Sequence, residues 1–142
     1  MKKLLMVVLA AMALGSGLAS ADDLAPGLSQ ERFKSMDGMV DRAMAAYNAD
    51  NWKKFYSEWA QMMAGVCTEQ AYNSLYKGQY KKNFGNFKSK KLIPSRSTVA
   101  DMNGLLVYEA TFDKGGKADL AVNFFKEGDI YKIQQIQVNK AQ

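Results

Sequence analysis

The sequence predicts an α+β fold: about three N-terminal helices packed on a curved, mostly antiparallel sheet of about five strands. Two periodicities predict it. Apolar residues recur at three- and four-residue steps from Phe33 to Tyr76, and at two-residue steps from Leu106 to Val138. The order of the two blocks, helices first and strands after, is the third observation, because it segregates the helices to one face of the sheet.

The first element lies outside the domain. Lys2 and Lys3 open the chain, Leu4 to Leu14 is almost wholly apolar, and Ala19-Ser20-Ala21 has the small-x-small form of a cleavage site. Together they make the pattern of a secretory signal peptide spanning residues 1–21. Gly15, Ser16 and Gly17 interrupt a run already short for a bilayer, and no Cys follows it to carry a lipid. The expectation is an exported bacterial protein, periplasmic or secreted, whose mature form does not span a membrane. Cleavage after Ala21 leaves 121 of the 142 residues, the size of one domain. Of 19 basic residues against 14 acidic ones, Lys2 and Lys3 leave with the leader, so the net charge falls from +5 to +3. Cys67 is the single cysteine, so no intramolecular disulfide can form, and a small buried apolar thiol is its commoner state.

Residues 22–28, with Pro26-Gly27, read as an extended lead-in to a domain over 29–142. Ser29 is placed to N-cap a first helix carrying Phe33, Met36, Val40, Met44 and Tyr47 on one side and Lys34, Asp37, Asp41 and Arg42 on the other. Asp50 is expected to cap a second helix with the stripe Trp52, Phe55, Tyr56, Trp59, Met62 and Met63, ending near Gly65. Thr68 is expected to cap a third, carrying Ala71, Tyr72, Leu75 and Tyr76 to about Gly78. Phe87–Ile93 and Arg96–Met102 read as strands separated by Pro94-Ser95. The strongest strand signals follow: Leu105–Phe112, Lys117–Phe125 and Ile130–Val138, joined by Gly-containing turns at 113–116 and 126–129. In the last strand the apolar phase slips by one residue across Gln134-Gln135, as a β-bulge would produce.

This order of elements resembles the nuclear transport factor 2-like superfamily, and is similar to small exported bacterial domains of that superfamily. The matching text is Tyr47-Asn48-Ala49-Asp50-Asn51-Trp52, Tyr108-Glu109-Ala110-Thr111-Phe112, and Gly128-Asp129-Ile130-Tyr131-Lys132-Ile133 leading to Ile136-Gln137-Val138. The resemblance implies a cone-like, cystatin-like fold in which the curved sheet wraps a long helix and can enclose a pocket. It carries no catalytic motif.

The chain contains no histidine, which removes imidazole base catalysis, imidazole metal ligands and any Ser-His-Asp arrangement. No catalytic residue, metal or cofactor is therefore expected, and phase puts Asp37, Asp41 and Glu58 on polar helix faces. The aromatic residues have two readings, core filling and a pocket for a small molecule; Trp59, Tyr72, Tyr108 and Phe124 are the pocket candidates. Met36, Met39, Met44, Met62 and Met63 could in principle hold a soft metal, but they lie on apolar stripes and read as core. Between Glu69 and Asp101 there is no acid, while Lys77, Lys81, Lys82, Lys88, Lys90, Lys91 and Arg96 occur there. That segment reads either as a solvated face or as a basic patch for an anionic envelope partner, with nucleic acid set aside because of export. The resulting expectation is a non-catalytic binding domain with an apolar pocket for a small molecule or peptide. The alternatives are an envelope interaction module, dimeric through its sheet, and a small pocket enzyme of the isomerase or dehydratase type.

Overall fold

The structure is a computed structural model, and residues 28–141 of it are described. The expected leader, and all of the lead-in except Leu28, lie outside the described residues. Helix α1 (Gln30–Asn48) is followed by a short α2 (Trp52–Phe55), a 3-10 helix (Gln61–Val66), and a helical run made of α3 (Glu69–Ala71), a π-helix (Tyr72–Lys81) and α4 (Lys82–Phe84). The strands are β1 (Phe87–Leu92), β2 (Thr98–Val99), β3 (Asn103–Phe112), β4 (Gly116–Glu127) and β5 (Ile130–Lys140). They form one open antiparallel five-stranded sheet in the order β1-β3-β4-β5, with β2 also paired to β3. The α+β architecture expected from the two periodicities is the one observed.

The period-two residues of the sheet face the helices. Leu106, Tyr108, Ala110 and Phe112 of β3, Leu120, Val122 and Phe124 of β4, and Ile133, Ile136 and Val138 of β5 are all buried. Phe33, Met36, Val40, Met44 and Tyr47 of α1 are buried against this set. The phase slip in β5 is real: Asn123 pairs with Gln135 and Phe124 with Ile133, so Gln134 is the extra residue of a bulge. Ser29 and Thr68 are N-caps as expected, their hydroxyls accepting from the N–H groups of Arg32 and Ala71.

The second helix is the main correction. It stops after Phe55, and the chain at Glu58–Ala60 instead joins the outer edge of β5. Ala60 N–H donates to the Ile133 carbonyl at 2.6 Å, and Ile133 N–H donates to the Glu58 carbonyl at 3.0 Å. Asn51 rather than Asp50 caps α2, its side chain accepting from Lys54 N–H. Asp50 sits at a left-handed φ of 54° and accepts from the Tyr72 hydroxyl. The third helix runs six residues past Gly78, to Phe84. Its last carbonyls, which a helix cannot satisfy itself, receive donors from the β3–β4 turn: Lys114 and Gly115 N–H both reach the Phe84 carbonyl. The second of the two early strands is only the pair Thr98–Val99. Between it and β1 the Ser97 hydroxyl accepts from Val107 N–H and donates to the Ile93 carbonyl, so the break leaves these groups of β3 and the turn paired.

Candidate functional site

A concave feature lies where the 58–60 segment, the π-helix and the β5 bulge meet. It is an open cleft of about 600 Å³, within the ~300–1,000 Å³ typical of small-molecule sites. One wall is aromatic, made by Tyr56, Trp59 and Tyr76; Met63, Val66, Ala71 and Leu75 add an aliphatic surface. The third side is polar but uncharged: Ser74, Asn123, Gln134 and Gln135.

Each wall follows from a local rule. Leaving helical geometry at Ser57 swings Trp59 onto the edge of β5, where its ring meets Tyr56 edge-on at 5.0 Å between centroids. Phe55 lies beneath them, with Tyr76 at 4.5 Å, Tyr72 at 5.3 Å and Trp59 at 5.8 Å. The bulge puts two consecutive amides, Gln134 and Gln135, at the rim, with Asn123 directly across the strand pair from Gln135. Tyr76 is fixed by its hydroxyl, which donates to the Ile136 carbonyl at 2.9 Å. Burial pushes the Tyr56 phenol up to about 12 and raises the Tyr76 phenol further, so both are neutral donors at ordinary pH. The Trp59 indole N–H is buried without an acceptor among the described residues. A smaller groove of about 290 Å³ lies on the other side of Tyr56 and Trp59, bounded by Trp52, Lys53 and Cys67. Cys67 is a free, half-buried thiol whose pKa is raised by desolvation, which keeps it protonated and a weak nucleophile.

Of the four pocket candidates from sequence, Trp59 lines the cleft. The other three stand in the core. Tyr72 is 1% exposed, and its hydroxyl donates to the Tyr47 carbonyl and to Asp50. Tyr108 donates to Asp37 at 2.8 Å, and Phe124 is fully buried. Tyr56, Tyr76 and the three amides are not among those four candidates. The slip at Gln134-Gln135 was the available signal, since a bulge at a sheet edge re-aims side chains.

The basic segment does not act as one face. Lys81 donates to the Tyr47 and Asn48 carbonyls at the end of α1 and pairs with Asp50 at 2.9 Å. Lys90 is held between Asp37 and Asp41 at 2.9 and 2.6 Å. Arg96 pairs with the buried carboxylate of Asp119 at 2.9 Å. Lys77, Lys82, Lys88 and Lys91 are exposed. Lys88 and Lys91 sit on β1, the edge strand, where lysines also discourage pairing with other chains. Met36, Met39 and Met44 pack in the core, whereas Met62 is 59% exposed. Among the described residues no helix is long and apolar enough to cross a membrane.

Comparison with known proteins adds a fold likeness. No family model matches the sequence, and no curated protein matches it. The structure is similar to that of Bdellovibrio bacteriovorus Bd1075, with 16% sequence identity and a TM-score of 0.50, over 79% of this chain and 42% of that one. It also matches the solution structure of RPA3114, a SEC-C motif containing protein from Rhodopseudomonas palustris, with 11% identity and a TM-score of 0.48, over 84% of this chain and 99% of that one. The chain thus spans about two-fifths of the length of Bd1075, and at this identity the likeness speaks to the fold alone.

Proposed function

We propose that this is an exported, non-catalytic domain of the nuclear transport factor 2-like kind that binds a small molecule at the rim of its sheet. The observation that carries the reading is the 600 Å³ cleft itself, walled by Tyr56, Trp59 and Tyr76 and backed by a packed core. Its lining of aromatic, aliphatic, amide and hydroxyl groups suits recognition, since apolar walls supply affinity and a few fixed polar groups supply orientation. The interior between α1 and the sheet is filled by Phe33, Met36, Tyr108 and Phe124, which favours a ligand at the rim over one in the interior.

Native mass spectrometry of the gently desalted protein from a bacterial envelope fraction tests this. A retained small-molecule mass is expected in the wild type and not in Leu75→Arg, which places a cation in the cleft wall. Bare wild-type protein argues against the cleft. A second reading, docking on an anionic envelope surface, is favoured by the four exposed lysines of the 77–91 segment. Binding of that kind would weaken steeply with ionic strength, whereas cleft binding would hardly respond.

A further inference from the structure

The unpartnered polar groups of the cleft narrow the class of ligand. We infer that it takes a neutral saccharide, an inference that rests on the cleft being the binding site. The side-chain amides of Asn123, Gln134 and Gln135 and the hydroxyl of Ser74 line it, and no hydrogen bond to another of the described residues occupies them. Asn123 and Gln135 are cross-strand partners, and Gln134 is the bulged residue beside them, so three donor–acceptor groups are brought together along one side.

Each amide offers two donors and an acceptor, which matches the alternating donor and acceptor character of neighbouring sugar hydroxyls. The facing wall offers aromatic surface from Tyr56 and Trp59, on which the C–H face of a pyranose ring packs. A wholly apolar ligand would bury these amides unpaired, which is costly. A charged ligand would find no countercharge, because no lining side chain is ionic. A peptide adding as a strand would need the β5 edge at Ile133, and Glu58 and Ala60 already hold it.

The test uses the full mature protein carrying Trp52→Phe, so that Trp59 is the only indole. Maltose, cellobiose and chitobiose are titrated against its fluorescence, and a neutral naphthylamine dye is titrated separately as a probe of the apolar wall. At least one disaccharide is expected to change Trp59 emission saturably, and Asn123→Ala with Gln135→Ala to weaken that binding about tenfold or more. The doubly substituted protein should still bind the dye saturably, which shows that the cleft is intact. Dye binding with no response to any disaccharide overturns the saccharide assignment and leaves the cleft standing. Failure of both dye and sugars overturns the assignment together with the cleft reading. A saccharide response that the double substitution does not alter also overturns it, because the amides would then play no part.

Discussion

Lys90 shows how a single side chain changes meaning between sequence and structure. Its ammonium lies 2.9 Å from Asp37 and 2.6 Å from Asp41, and 5.1 Å from the centre of the Tyr108 ring, with its side chain 9% exposed. Tyr108 completes the group by donating to Asp37, and burial followed by the Asp37 charge raises its phenol well above the ordinary range. Removing the lysine strands two carboxylates and a buried ring. Lys90→Met is expected to lower stability by about 2–3 kcal/mol, the usual cost of breaking a buried pair discounted for the partial exposure of both aspartates. Lys91→Met, on the exposed side of the same strand, should stay within about 0.5 kcal/mol. Urea denaturation midpoints compare the two, and equal losses would refute the assignment. In sequence both lysines belonged to one acid-free stretch. The distinction was illegible because the countercharges come from α1, some fifty residues upstream, at an i,i+4 spacing that looked like an exposed face.

Elements that obey only their own periodicity were legible; those fixed by a distant strand were not. Helix α1, the two C-terminal hairpins and the bulge follow from local spacing, and the structure has all of them. The stripe from Trp52 to Met63 predicted one helix, but pairing with Ile133 outweighed helical propensity at Ser57–Ala60, as tertiary contacts often do. That departure moved the cleft to the rim, which is why Tyr72, Tyr108 and Phe124 were expected in it and stand in the core. The end of the third helical run is likewise set from afar. Gly85 has φ 84°, and a Cβ there would lie 2.6 Å from the Lys114 Cβ and collide with the Asp113 carboxylate. Gly85→Ala is therefore expected to cost roughly 2–4 kcal/mol, combining left-handed strain with overpacking. Amide hydrogen exchange should report it locally, through lost protection at Lys114 and Gly115, whose N–H groups bond the Phe84 carbonyl. A variant as stable and as protected as the wild type would show that the turn does not cap the helix.

For the molecule as a whole, buried phenols set the alkaline limit. Tyr47, Tyr56, Tyr72, Tyr76 and Tyr108 all have raised pKa values, in each case first because burial disfavours the phenolate. In the unfolded chain they ionise near their ordinary value of 10.0, while the folded protein keeps them protonated. Their contribution to stability is thus fully present below about pH 10 and is lost as pH rises toward and past 12. Tyrosinate absorbance from these five phenols should appear late and together with loss of circular dichroism; their titration near 10 with the fold intact would contradict their burial.

The bond between residues 58–60 and Ile133 has a temporal consequence as well. A chain made from its N-terminus can form α1 early, because its contacts are local, but Trp59 has no edge to join until β5 exists. Closing that gap of more than seventy residues is an ordering event that local helices cannot anticipate. The aromatic wall and the amide rim therefore meet only when the last hairpin docks, so an interrupted or C-terminally shortened chain would carry a helix but no cleft.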